Sequence, residues 1–144
     1  MAGAGDVPTL AALRTRWAGG AEEAFEARMR AWLAADGERR TTWLAEAEGE
    51  PAGMISLFEY RRMPKPGRPD SRWGYVGNLY VRDEFRGRGV ASTLLDALVA
   101  CAEERGYARL VVSPSEEALA LYRGAGFTEP AGADPLLVRA AENV

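Results

Sequence analysis

The sequence contains no histidine and a single cysteine, Cys101. The first absence removes the commonest general base and the commonest metal ligand. A Ser-His-Asp triad is excluded, and no metal site is expected. One thiol cannot close an internal disulfide, so a reducing compartment is expected. No apolar run approaches the ~20 residues of a membrane helix. The opening MAGAGDVPTL lacks a basic region followed by an apolar core, so no secretory leader is read there. Basic residues do not predominate: 18 Lys and Arg stand against 21 Asp and Glu, a net charge of −3. That balance gives no reason to expect nucleic acid as a partner. The expectation is a soluble cytoplasmic protein with no membrane association.

What is present suits a packed core. Of 144 residues, 47% are hydrophobic and 27% charged, which fits one domain spanning 1–144. Leu10, Leu13 and Trp17 recur at helical spacing between Pro8 and the Gly19-Gly20 pair. Phe25, Met29, Trp32 and Leu33 form a second stripe. The period then changes to two. TTWLAEAE (41–48), the turn GEPAG and MISLFEYRR (54–62) read as an antiparallel hairpin. MPKPGRPDSR (63–72), with three prolines and three basic residues, reads as a long loop. WGYVGNLYV (73–81) is the next strand, where Gly77 predicts a bulge or a close backbone approach. Leu94, Leu95, Leu98 and Ala102 share a helical face, ARLVVS (108–113) reads as a central strand, and SEEALALYRGAGF (115–127) as a helix capped by Ser115. PLLVRA (135–140) is expected to form a last strand. The fold class is α/β, a mixed sheet flanked by helices.

The junction YVRDEFRGRGVASTLL (80–95) places Arg86, Gly87, Arg88 and Gly89 between an apolar strand and a helix. A helix start leaves amides unpaired and carries partial positive charge. Glycines there let an anion approach the backbone, and the arginines add full charge. A phosphate or pyrophosphate suits the combination, although the glycines of a plain tight turn would look the same. A P-loop is excluded because Val90-Ala91 follow Gly89, and Ser92 stands where a dinucleotide fingerprint wants Gly or Ala.

With LYV upstream and ALALYRGAGF downstream, the chain resembles the GNAT superfamily of acetyl-CoA-dependent N-acetyltransferases. Its signature Arg/Gln-x-x-Gly-x-Gly/Ala is met by Arg86, Gly89 and Ala91. Its second mark, Ala-x-x-Leu-Tyr ending in Gly-Phe, is met by Ala118, Leu121, Tyr122, Gly126 and Phe127. The resemblance covers roughly residues 40–140. It implies a central sheet whose parallel strands splay, with acetyl-CoA as the acetyl donor and an amine, on a small molecule or a protein N-terminus, as the acceptor. Amides of Gly87, Arg88, Gly89, Val90, Ala91 and Ser92 would hold the pyrophosphate beside Arg86. Backbone groups of Leu79, Tyr80 and Val81 would pair with pantetheine, and the Leu79 N–H would polarise the thioester carbonyl. Tyr122 would be the general acid toward the leaving thiolate.

The sequence departs from that pattern in three places. Trp73, Tyr75 and Leu110 occupy positions where family members commonly carry an acid, which leaves Glu59, with Glu46 as second choice, or equally ordered water, as expected proton acceptors. Ser115 stands where asparagine is usual and would bond pantetheine or cap its helix. The family's first strand is absent, very short, or contributed by a second copy, so a homodimer is among the expectations. Cys101 is expected in the core, and the basic loop in solvent. The tryptophans are expected to pack, with Trp17 or Trp32 the candidates for an acceptor-pocket wall. A non-catalytic acyl-CoA-binding module is the alternative to an enzyme.

Overall fold

The computed structural model describes residues 1–20, 22–35, 37–130, 132 and 136–141. Two helices come first, α1 (Val7–Ala18) and α2 (Phe25–Ala34). A hairpin follows, β1 (Arg40–Ala47) and β2 (Glu50–Arg61), then β3 (Arg72–Val81), α3 (Val90–Glu104), β4 (Leu110–Val112) and α4 (Leu119–Gly124). The four strands lie in chain order in one mixed sheet: β1–β2 and β2–β3 antiparallel, β3–β4 parallel.

Alternation along β2 sends side chains to two layers. Ile55 and Leu57 pack with Trp43, Val76, Leu94, Leu95, Leu98 and Cys101 beneath α3. Met54 packs on the other face with Leu10 and Leu13 of α1, with Met29 and Leu33 of α2 beside them. Cys101 is buried in the α3 core, as its helical spacing predicts.

The hairpin turn is tighter than the sequence suggests. Ala47 pairs with Glu50, and the two residues between them, Glu48 and Gly49, have φ of 54° and 78°. Two left-handed residues match the right-handed twist of the flanking strands. GEPAG therefore spans the turn's end and the start of β2.

The bulge in β3 falls one residue later than expected. Met54 faces Tyr80 and Ser56 faces Gly77, so Ile55 alone spans Asn78 and Leu79, and Asn78 has φ 57°. Asparagine tolerates this left-handed conformation better than other side chains. The extra residue reverses the phase of the strand: Val76 joins the α3 core, whereas Tyr80 joins the α1 side. Gly77 serves the other expected purpose, since a Cβ there would sit 3.2 Å from Cε2 of Phe58.

Two further expectations need correction. The last helix begins at Leu119; Ser115 Oγ accepts a hydrogen bond from the Ala118 N–H (3.3 Å) in the turn that leads into it. Of the expected strand 135–140, Pro135 lies outside the described residues and 136–140 form no strand. Leu136, Leu137 and Val138 are 84%, 87% and 82% exposed. No strand precedes α1 among the described residues, although the Ala2 N–H donates to the Thr42 carbonyl at the edge of β1 (2.8 Å).

Candidate active site

β3 and β4 pair only from Gly74–Leu110 to Val76–Val112. Beyond Val76 the β4-facing edge of β3 has no ladder partner, and neither Asn78 nor Leu79 is in register with β2. The strands thus splay as the resemblance implies. A cleft of about 650 Å³ opens there. Tyr75, Asn78 and Leu79 form one wall, and Ser113, Ser115 and Tyr122 the other. Trp17, Arg40, Phe58 and Tyr60 extend it across the sheet face. The Leu79 side chain packs on the α3 core, which anchors its backbone.

Tyr122 is 3% exposed, with its ring edge-on to Phe127 at 5.4 Å between centroids. Its hydroxyl makes no hydrogen bond among the described residues, although the ring lines the cleft. Burial first, and nearby Tyr75 second, push its pKa up to about 12. It is a neutral phenol at every physiological pH.

The loop between β3 and α3 is fixed from within. Phe85 is buried, with the Arg82 and Arg88 guanidiniums over its ring at 5.3 and 5.6 Å. Arg86 Nε donates to the Val81 carbonyl (3.2 Å), and its Nη2 lies 3.2 Å from Asp83. Arg88 pairs with Glu48 at 2.8 Å. Both arginines remain about half exposed, at 55% and 53%. Gly87 and Gly89 have φ of 76° and 81°, and nothing lies within 4 Å of where a Cβ would stand. Gly89 is the N-cap of α3 and supplies no side-chain cap. The amides of Val90, Ala91 and Ser92, the first three of the helix, therefore open outward without an intrahelical acceptor. This is a backbone cradle with room for an anion, which fits a pyrophosphate.

Glu59 is not brought to the cleft. It lies on the α3 face of β2 with 3% of its side chain exposed. Tyr107 Oη donates to it at 2.8 Å, Arg61 Nε at 3.0 Å and Arg72 Nη1 at 3.4 Å. Burial pushes its carboxyl up, yet the Tyr107 and Arg61 hydrogen bonds and the charges of Arg72 and Arg61 together hold it below the usual value. That arrangement is a structural knot closing the end of the sheet. Glu46 is exposed on β1 and does not line the cleft either. Among the described lining residues there is no carboxylate.

Sequence reasoning missed Asn78 and the aromatic wall of Phe58, Tyr60 and Tyr75. The signal was available: positions 58 and 60 on β2 share a face, and 75 lies opposite 58 in the ladder. Trp17 does line the cleft, stacked on Tyr80 at 5.5 Å, whereas Trp32 meets the edge of Phe58 at 6.2 Å.

Comparison with known proteins places these features in a family. Residues 8–127 match the model of the acetyltransferase (GNAT) family. N-acetyltransferase family 8 member 2 of Rattus norvegicus is 28% identical over 88 residues, 59% of this chain and 37% of that protein. The match thus spans little more than a third of that relative's length. The fold is similar to a predicted acetyltransferase with acetyl-CoA from Clostridium acetobutylicum, with TM-score 0.73, 22% identity, and 94% and 92% of the two chains covered. It is similar also to the ribosomal-protein-alanine N-acetyltransferase of Brucella melitensis (TM-score 0.72, 23% identity, 97% and 96% covered). A GCN5-related N-acetyltransferase of Ralstonia eutropha is 28% identical with TM-score 0.66, over 93% and 94% of the chains.

Proposed function

The chain belongs to the GNAT acetyltransferase family, and on that premise we propose that it transfers an acetyl group from acetyl-CoA to a primary amine by direct attack. The observation that carries this reading is the pairing of an unladdered backbone at Asn78–Leu79 with an unpartnered, buried phenol at Tyr122 across one cleft. The acetyl donor supplies an activated thioester. The open amides from Gly87 to Ser92 bind its diphosphate, with Arg86 and Arg88 alongside. Tyr80 and Val81 remain in the β2 ladder and keep that edge of β3 rigid. Ser115 meets the pantetheine arm from the opposite wall.

In the reaction a nitrogen–carbon bond forms as the carbon–sulfur bond breaks. The nitrogen loses a proton and the sulfur gains one. The Leu79 N–H stabilises negative charge as it develops on the acetyl oxygen. Tyr122 holds its proton at the sulfur. With no carboxylate among the described lining residues, the amine loses its proton to water or enters as the free base. Cys101 lies in the core, which argues against an acyl-enzyme on that thiol.

One observation favours the alternative, a non-catalytic acyl-CoA-binding module: the missing base. Thiol release from acetyl-CoA across a broad panel of amines, with calorimetric binding of CoA alongside, separates the two. Turnover with any amine establishes the transferase; saturable CoA binding without turnover leaves the module. Absence of CoA binding at millimolar concentration overturns both.

A further inference from the structure

Cations gather where β2 leaves the cleft, whereas the acids Glu116 and Glu117 follow Ser115 on the opposite wall. β2 leaves the cleft at Tyr60, and the chain enters the loop 62–71, where Arg62, Lys65 and Arg68 stand against one acid, Asp70. None of the three cations makes an ion pair among the described residues. The arginines that end β2 and begin β3 differ: Arg61 and Arg72 are both held by Glu59. So do Arg82, Arg86 and Arg88 of the next loop, each paired with a carboxylate. Two further cations stand over aromatic rings beside the cleft with no carboxylate partner among the described residues. Arg14 lies 4.5 Å from the centre of Trp17, and Arg109 lies 5.5 Å from that of Trp73. Trp17 lines the cleft, and Trp73 stacks at 4.8 Å on Tyr60, which also lines it.

A chain of net charge −3 has therefore gathered positive charge, without carboxylate partners among the described residues, to one side of an aromatic cleft whose described lining holds no carboxylate. The loop is also restrained. Pro64, Pro66 and Pro69 limit its backbone, and its base is closed by the Arg62 N–H on the Ser71 carbonyl at 2.9 Å. Restraint lowers the entropy lost when such charges engage a ligand.

We propose that the acceptor is an anionic amine: a primary amine on a molecule with an apolar or aromatic body and one or more carboxylate or phosphate groups. This rests on the acetyl-transfer reading and narrows it. Polycationic amines meet like charge at the β2 end of the cleft and no carboxylate in its described lining, a penalty that selects against them. Anionic acceptors are drawn in, and their rings stack on Tyr60, Phe58 or Trp17.

The test compares matched amines by the initial rate of thiol release from acetyl-CoA. Phenylalanine is set against phenethylamine, an acidic peptide against its amide-substituted counterpart, and spermidine serves as the polycation. At low salt the member of at least one pair that carries the extra carboxylate is expected to have kcat/KM about tenfold or more above the partner that lacks it, an advantage that shrinks as salt rises. Preference in the peptide pair alone identifies a peptide acceptor, and in the amino-acid pair alone a small molecule. Joint substitution Arg62→Ser, Lys65→Ser and Arg68→Ser, all exposed and outside the core, is expected to narrow the advantage at least about threefold, through KM. Equal or better turnover of the partners lacking the carboxylate, or of spermidine, overturns the charge proposal and leaves acetyl transfer standing. So does an advantage that neither salt nor the triple substitution alters. Saturable acetyl-CoA binding with no amine turned over overturns the transferase reading itself, and this proposal with it.

Discussion

Replacing Tyr122 with phenylalanine removes one oxygen and leaves the ring that packs on Phe127. The hydroxyl has no hydrogen-bond partner among the described residues, so its loss orphans nothing, and stability is expected to change by no more than ~0.5 kcal/mol. The catalytic effect follows from the raised pKa. At about 12 the phenol lies ~3.5 units above a thiol of pKa ~8.5, so full proton transfer to the thiolate is uphill by ~5 kcal/mol. In the proposed reaction Tyr122 would therefore act as a hydrogen-bond donor to the sulfur as charge builds, a contact worth ~1.5–3 kcal/mol because one partner is ionic. Tyr122→Phe should lower kcat by about 10- to 100-fold. The acetyl-CoA dissociation constant from calorimetry and the thermal midpoint should barely move. Unchanged kcat removes Tyr122 from the mechanism; a loss near 10⁴-fold would mean complete proton transfer and refute the arithmetic. The pH dependence supplies a second check. A phenol whose folded pKa exceeds its unfolded value of 10.0 stabilises the fold fully below pH ~10 and loses that contribution as pH rises toward 12. Any fall in activity between neutral pH and 10 must then belong to another group.

Other perturbations probe the frame around the site. Glu59→Gln leaves Tyr107, Arg61 and Arg72 without their carboxylate, and because both arginines are partly exposed the expected loss is ~1–2 kcal/mol, read by chemical denaturation, with kcat little changed. The Glu59 carboxyl is lowered in the fold from 4.5, so its contribution is complete above that pH and lost as pH falls through the lowered value; the Gln variant should lack this part of the acid transition. Gly89→Ala places a Cβ at φ 81°, costing ~1–2 kcal/mol, and should weaken acetyl-CoA binding measured by calorimetry, because relief of that strain shifts the backbone that aims the open amides. Asn78→Val forces a branched side chain into φ 57° and should cut kcat, through a displaced Leu79 N–H, more than it changes acetyl-CoA affinity.

Elements set by local periodicity were legible in the sequence. The stripes of α1 and α3, the alternation of β1 and β2, and the Gly-Arg junction need only neighbouring residues to be read. What escaped depends on partners distant in sequence or on unusual backbone. Glu48 enters the left-handed region to make a two-residue turn, where the nearby Gly-Glu-Pro-Ala-Gly suggested a longer one. Gly77 drew attention as the bulge, yet it is small because the Phe58 ring lies against it, and Asn78 bends the strand. Glu59 read as an available carboxylate because nothing local announces that Tyr107, 48 positions later, closes on it. Ser115 read as a cap and does accept an amide, but the helix proper waits until Leu119.

These departures explain why a cleft exists at all. A regular β3 would keep Val76 and Tyr80 on one face and continue its pairing with β4. The residue inserted at Asn78 reverses the phase, so Tyr80 turns to stack on Trp17 while Leu79 stays anchored in the α3 core. Backbone after the inserted residue is thereby fixed, and the amide joining Asn78 to Leu79 is left without a ladder partner. β4 ends at Val112, and Pro114 follows, a residue that cannot donate to a ladder. The same span thus gives up sheet hydrogen bonds on both strands and surrounds the gap with rings rather than with competing polar groups. Unmet backbone hydrogen-bonding capacity in a half-buried place is costly unless something fills it. A ligand that carries its own amides, as the proposed donor's pantetheine does, would answer that need, and on that proposal the splay, the bulge and the phenol belong to one device.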